Sequence, residues 1–239
     1  MTEEKSEQIQ RSLHVCMPAY SGVEPATVTS LMQLRHKVPF TFDLVGVADV
    51  TIGRSILAER AVERDADLIL WVDSDMVFTP EQFNKLHNEL EAAPHRGLVS
   101  ALAVRRDGSG SYTVNWKKGR KYMPQEELQE KADKLRIEEK VAPVDVTGLA
   151  FTIMWTDVLK KCKPPWFQPH WLKDGNFVGE DAALMKSMQK KGYQPCVDFG
   201  VHVGHIGKTM YLPPMNEQGE EENVDNPIDS DTGRTDDPS

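Results

Sequence analysis

A chain of 239 residues, 39% of them apolar, is long enough to bury one sizeable core, as a single domain or a tight two-lobed unit. Its net charge of -9 sits almost wholly at the ends: residues 217–239 carry nine acids against one base, residues 1–11 three acids against two bases, and residues 12–216 carry 25 of each sign. The acidity therefore says little about a substrate, and a neutral core argues against non-specific DNA binding.

No apolar run approaches the roughly 20 residues needed to cross a membrane. Residues 1–11 lack the apolar stretch of a signal peptide. Cys16, Cys162 and Cys196 are far apart and lack the spacing of a disulfide framework or a zinc site. A reducing, cytoplasmic setting is the expectation.

In chain order, residues 1–11 read as a flexible polar start. Residues 14–17 are a short apolar run that stops at Pro18, the pattern of a strand leading into a loop. Residues 26–37 have helical spacing. A second strand is expected over 42–50. A second helix is expected over 54–64, with Ile56, Leu57, Ala61 and Val62 on one side. Residues 68–72 are wholly apolar, the signature of a strand covered on both faces, and the run stops at Asp73-Ser74-Asp75. Thr79-Pro80-Glu81-Gln82 then opens a third helix, with Thr79 as N-cap and Pro80 in the first helical position. A fourth strand is expected over 98–104. This alternation predicts an α/β fold with an open, mostly parallel sheet, whose ligands bind at the carboxyl ends of the strands.

The middle of the chain differs. Residues 105–121 are rich in Gly and Ser and carry Arg105, Arg106, Lys117, Lys118, Arg120 and Lys121 against one acid, Asp107. A charged helix is expected over 125–140 and a strand over 144–155, interrupted at Thr147-Gly148. A helix over 180–191 and a strand over 196–203 follow. Residues 217–239 read as a disordered acidic tail, which leaves one domain over 12–216.

Four places carry chemistry. Asp73 and Asp75, one residue apart at a strand end, can share a hard divalent cation such as Mn²⁺ or Mg²⁺; two solvated turn aspartates are the plainer reading. His205, between Gly204 and Ile206-Gly207, can approach a ligand closely and complete a carboxylate–imidazole site, or be a loop histidine without a partner. Glu180 and Asp181 open a helix, where acids are favoured by the dipole; at a pocket edge either can also serve as general base. Tyr20, after Pro18 at a strand end, can stack on a nucleobase, and Arg54 can pair with a diphosphate. Trp116, Trp166, Phe167 and Trp171 suit either a sugar-stacking wall or ordinary packing.

The order of these pieces resembles the GT-A fold glycosyltransferases, in particular the small family-two-like enzymes of bacteria and phages. The resemblance spans about residues 14–211. It rests on Pro18-Ala19-Tyr20, Gly53-Arg54-Ser55, Leu70-Trp71-Val72-Asp73-Ser74-Asp75-Met76, Thr147-Gly148, Gly179-Glu180-Asp181 and Gly204-His205-Ile206-Gly207. It implies a Rossmann-related sheet with helices on both faces, a nucleotide-binding part over about 12–104 and an acceptor part over about 105–216. It further implies that Asp73 and Asp75 meet the metal, Asp73 also the ribose, and that His205 is the late metal ligand. Pro18, Tyr20, Arg54 and Ser74 would form the donor site, and Glu180 and Asp181 the acidic pair on the acceptor side, with Asp181 as base. Many relatives have Arg-Asn where this chain has Arg54-Ser55, and residues 105–140 match nothing in the family.

The implied activity is metal-dependent transfer of a sugar from a nucleotide-diphosphate sugar, a UDP-sugar by expectation, to an acceptor hydroxyl. The basic stretch 105–121 makes an anionic polymer or modified DNA a fitting acceptor. Two alternatives stand beside it. Asp73-Ser74-Asp75-Met76-Val77 also fits the nucleophile loop of haloacid-dehalogenase-type phosphohydrolases, with Asp73 as nucleophile, although that loop normally follows the first strand. The basic, aromatic-bearing stretch 105–122 also suits a nucleic-acid-binding module.

Overall fold

The structure, a computed structural model, describes residues 11–106, 108–119, 121–173, 175, 177–207 and the backbone of 210–211. All but the last residue of the polar start, and the whole acidic tail expected over 217–239, lie outside the described residues.

Seven strands form the central sheet: β1 (Leu13–Pro18), β2 (Thr41–Val45), β3 (Leu68–Val72), β4 (Leu98–Leu102), β5 (Val141–Pro143), β6 (Phe151–Trp155) and β7 (Cys196–His202). Their order across the sheet is β2-β1-β3-β6-β4-β7-β5. The pairs β1–β2, β1–β3 and β4–β7 are parallel, while β6 runs antiparallel to β3 and β4, and β5 antiparallel to β7. Five strands thus share one direction, giving the mostly parallel sheet expected from the alternation. Strands from before and after residue 105 interleave in it.

Among the described residues, six α-helices accompany the sheet: α1 (Pro25–Lys37), α2 (Val50–Glu63), α3 (Pro80–Ala92), α4 (Gln125–Ile137), α5 (Thr156–Cys162) and α6 (Glu180–Lys190). Helices lie on both faces because β3 is apolar throughout. Leu68, Leu70 and Val72 pack with Leu31 and Leu34 of α1 and Phe83, Leu86 and Leu90 of α3. Ile69 and Trp71 pack with Leu57 of α2, Val158 and Leu159 of α5 and Leu184 and Met188 of α6. Each such buried side chain contributes about 1.5–3 kcal/mol. α4 covers a third cluster with Leu128 and Ala132.

Capping residues set the helix starts. Thr79 accepts from the Gln82 N–H at 3.3 Å while Gln82 accepts from the Thr79 N–H at 2.8 Å, so the expected N-cap is a full capping box. Asp49 caps α2 through Thr51 N–H at 2.7 Å. The strand expected over 42–50 therefore ends at Val45, and α2 begins at Val50 rather than at 54. The strand expected over 144–155 is two. Val146–Thr147 pairs with Val114–Asn115, and after Gly148, whose N–H donates to Thr113 at 2.8 Å, Phe151–Trp155 enters the centre of the sheet. Residue types suited to either strand gave no sign of that break beyond the Gly.

Candidate functional site

The carboxyl ends of β1 and β3, with the loop after β2, surround a cleft of about 570 Å³. Pro18, Tyr20, Asp73, Ser74 and Asp75 line it, as does Arg106 from beyond β4. Tyr20 is 73% exposed, so its ring is available at the cleft.

The two aspartates do not share one direction. The alternation of a strand has ended at Val72, and Ser74 and Asp75 lie in a turn. Beyond it, Met76–Val77 pairs antiparallel with Gly204–Ile206, with Met76 opposite His205, and the Ile206 N–H donates to the Asp75 carbonyl at 2.8 Å. Burial of Met76 and Phe78 holds this small sheet in place. It carries His205 to Asp75, with Nε2 3.4 Å from Oδ1. The other ring nitrogen, Nδ1, is 2.9 Å from the Val104 carbonyl, so it carries the proton donated there and leaves Nε2 facing the carboxylate. Burial lowers the basicity of this imidazole, but the Asp75 carboxylate and the Val104 carbonyl outweigh it, and its pKa is raised. Arg106, half-exposed, places Nη1 on Oδ2 of Asp75.

Asp73 belongs to a different cluster. Its Oδ1 lies 3.3 Å from Nη2 of Arg54, whose Nη1 meets Glu180 Oε1 at 3.1 Å and also Asp181 Oδ1. Arg54 is 3% exposed, on the inner side of α2. Burial opposes its charge, but three carboxylates override burial and raise its pKa. Burial pushes the Asp181 carboxyl up to about 6; Arg54 opposes this, while Glu180 and Asp73 add to it. Among the described residues the cluster holds one cation and three acids, so its carboxylates compete for a single guanidinium.

The sequence-derived residues thus divide. Pro18, Tyr20, Asp73, Ser74 and Asp75 line the cleft, and His205 stands against Asp75. Arg54, expected at a diphosphate, is instead buried among Asp73, Glu180 and Asp181 and does not line the cleft. Among the described residues, no group of three or more His, Cys, Asp and Glu side chains has the geometry of a metal cage; Asp75 and His205 pair while Asp73 turns to Arg54. Of the aromatics, Trp116, Trp166 and Phe167 are core packing: Trp116 stacks on Phe199 and Trp166 donates to the Leu159 carbonyl at 2.8 Å. Trp171 is 71% exposed. The residue that sequence reasoning missed is Arg106. It lay in view as one of six bases in 105–121, but nothing local pointed it at Asp75.

No protein-family model matches the chain, and no curated protein does. Among solved structures it is similar to A197 from STIV, with a TM-score of 0.58 and 16% identity, covering 89% of this chain and 99% of that one. It is also similar to glucosyl-3-phosphoglycerate synthase from Mycobacterium tuberculosis, solved with Mn²⁺, uridine diphosphate and phosphoglyceric acid. There the TM-score is 0.43 and the identity 18%, over 82% of this chain and 71% of that one. The first likeness shows a shared fold; the second is too loose to carry an argument. No described helix is long and apolar enough to cross a membrane.

Proposed function

We propose that the chain is a glycosyltransferase of the GT-A type, which moves a sugar from a UDP-sugar to an acceptor hydroxyl with the help of Mn²⁺ or Mg²⁺. The observation that carries this reading is the Asp75–His205 pair, 3.4 Å apart across 130 residues of sequence, on a cleft at the carboxyl ends of the strands. One carboxylate and one imidazole whose far nitrogen is pinned to a backbone carbonyl form a donor set that fits a divalent ion. Asp75 and His205 would hold such an ion. When bound, the ion supplies charge neutralisation that makes the nucleoside diphosphate a better leaving group.

The chain's own residues supply the rest. Tyr20 offers an exposed ring to the base, and Pro18 and Ser74 shape the cleft beside it. Arg106 holds the Asp75 carboxylate as a built-in cation, and on donor binding its long side chain transfers to the diphosphate. Arg54 fixes Asp73, Glu180 and Asp181 relative to one another. Asp181, with its pKa near 6, accepts the proton of the acceptor hydroxyl. On this reading residues 12–104 hold most of the donor site, His205 and Arg106 from 105–216 complete it, and the rest of 105–216 serves the acceptor.

Thermal unfolding with UDP, with and without Mn²⁺, tests the reading. UDP is expected to raise the melting temperature only when Mn²⁺ is present, and Asp75→Ala to lose that response. An unchanged response in Asp75→Ala defeats the proposal.

A further inference from the structure

A second cleft, of about 410 Å³, lies along α6. One wall is the short hairpin of Lys117–Lys118 with Lys121–Tyr122. The other is formed by Phe177–Val178 and the side of α6 that carries Ala182, Lys186 and Gln189. None of these residues has a part in the donor cleft.

Charge and exposed rings coincide here. Among the described residues, Lys117, Lys121 and Lys186 line the cleft against one acid, Asp145. Asp145 is already engaged: its Oδ2 accepts the Lys117 backbone N–H at 2.7 Å, and its Oδ1 lies 3.7 Å from Lys117 Nζ. Among the described residues, Lys121 and Lys186 have no ion-pair partner. Tyr122 is 42% and Phe177 53% exposed, and Trp171 sets its ring 5.0 Å from that of Phe177. Large rings held in water beside unpaired cations mark a surface that gains by being covered. Trp116, next to Lys117, is by contrast buried and stacked on Phe199.

We infer that this cleft binds a single strand of nucleic acid, as the acceptor of the transfer. The acceptor role rests on the glycosyltransferase reading; the binding does not. A nucleotide repeats one flat base and one negative charge, and so matches a cleft lined by Tyr122, Phe177 and three lysines, with Trp171 against Phe177. A carboxylated polysaccharide repeats charge but offers no flat π face. Position favours an acceptor as well: Lys186 is six residues along α6 from Glu180, about 9 Å of helix, and α6 opens with the Glu180–Asp181 pair.

Fluorescence anisotropy with a fluorescein-labelled oligothymidylate of about ten nucleotides tests this. The full chain is expected to bind it, more weakly as salt rises. The exposed-side substitutions Lys121→Glu and Lys186→Glu together should weaken binding at least tenfold. They should also flatten the slope of log Kd against log salt by about 1.4, at ~0.7 per lost contact. Trp171→Ala and Phe177→Ala should each weaken binding several-fold. No binding by the wild-type chain, full binding by the double variant, or equally tight binding of a fluorescein-labelled hyaluronate oligosaccharide overturns the inference. UDP with Mn²⁺, read by thermal shift on the same proteins, keeps the two readings apart. Oligonucleotide binding without a UDP response upholds the nucleic-acid site and removes only its role as acceptor.

Discussion

Asp73 and Asp75 are one residue apart, yet they sit in two different electrostatic settings. Asp73 faces a guanidinium buried at 3% exposure and shared with Glu180 and Asp181. Asp75 faces the His205 imidazole and Arg106, whose side chain is 56% exposed. A buried cation among three acids cannot leave without stranding charge. An exposed arginine can leave at small cost, because an exposed pair is worth only about 0–1 kcal/mol. The first cluster is therefore built to stay and the second to exchange partners. The difference follows from the elements that supply the cations: Arg54 comes from the inner side of a packed helix, Arg106 from a loop beyond a strand end.

The largest expected effect breaks the permanent cluster. Arg54→Met removes from three acids the one cation that pairs with them among the described residues, and should lower stability by about 3–5 kcal/mol at neutral pH. Urea unfolding should show this deficit shrinking at acid pH, where the stranded carboxylates take up protons and lose their mutual repulsion. A deficit independent of pH would mean that Arg54 acts by packing alone. Next, Asp75→Asn should weaken Mn²⁺-dependent UDP binding on the order of a hundredfold, with a urea midpoint close to wild type. If that substitution instead unfolds the chain, the contrast between the clusters is lost.

A smaller effect concerns pH. On the proposed reading Asp181 is the base and must be ionised, so with its pKa at about 6 transfer should rise with pH through that value. Glu180→Gln removes a neighbouring negative charge that pushes this pKa up, so the acid limb of kcat/KM should move to lower pH. A limb that stays in place assigns the titration to another group. The smallest effect tests exchange at Asp75. Arg106→Ala frees the carboxylate from a competing cation and should tighten Mn²⁺ binding measured by calorimetry without nucleotide. The gain should be up to about fivefold, the scale of an exposed pair. Weaker Mn²⁺ binding in this variant would make Arg106 part of the site rather than a stand-in for its ion.

Much of the fold was legible in the chain. The uniformly apolar run 68–72 announced a strand covered on both faces, and Thr79-Pro80-Glu81-Gln82 announced a capped helix. Both rest on local rules, the burial pattern of one strand and the hydrogen bonds of one helical turn. The residues that line the cleft from the ends of β1 and β3 were legible for the same reason, since a strand end is a local feature. Arg54 was legible as a functional candidate but not in its place, because two of the three acids that claim it lie 126 and 127 residues further on. The strand 151–155 was visible only as part of an expected strand over 144–155, and its antiparallel entry between β3 and β4 was not, since pairing is decided by which partner edge is open.

Asp73-Ser74-Asp75 shows the division most plainly. Sequence by itself determined that two carboxylates end a buried strand, because apolar residues stop there and acidic ones begin. It also placed a glycine-flanked histidine far downstream. Only the tertiary structure decided that the chain turns at Ser74, and that Met76 pairs opposite His205. The same packing sends one aspartate to a buried arginine and the other to an imidazole. Those outcomes depend on pairings between segments 19 to 130 residues apart, and no local propensity encodes them.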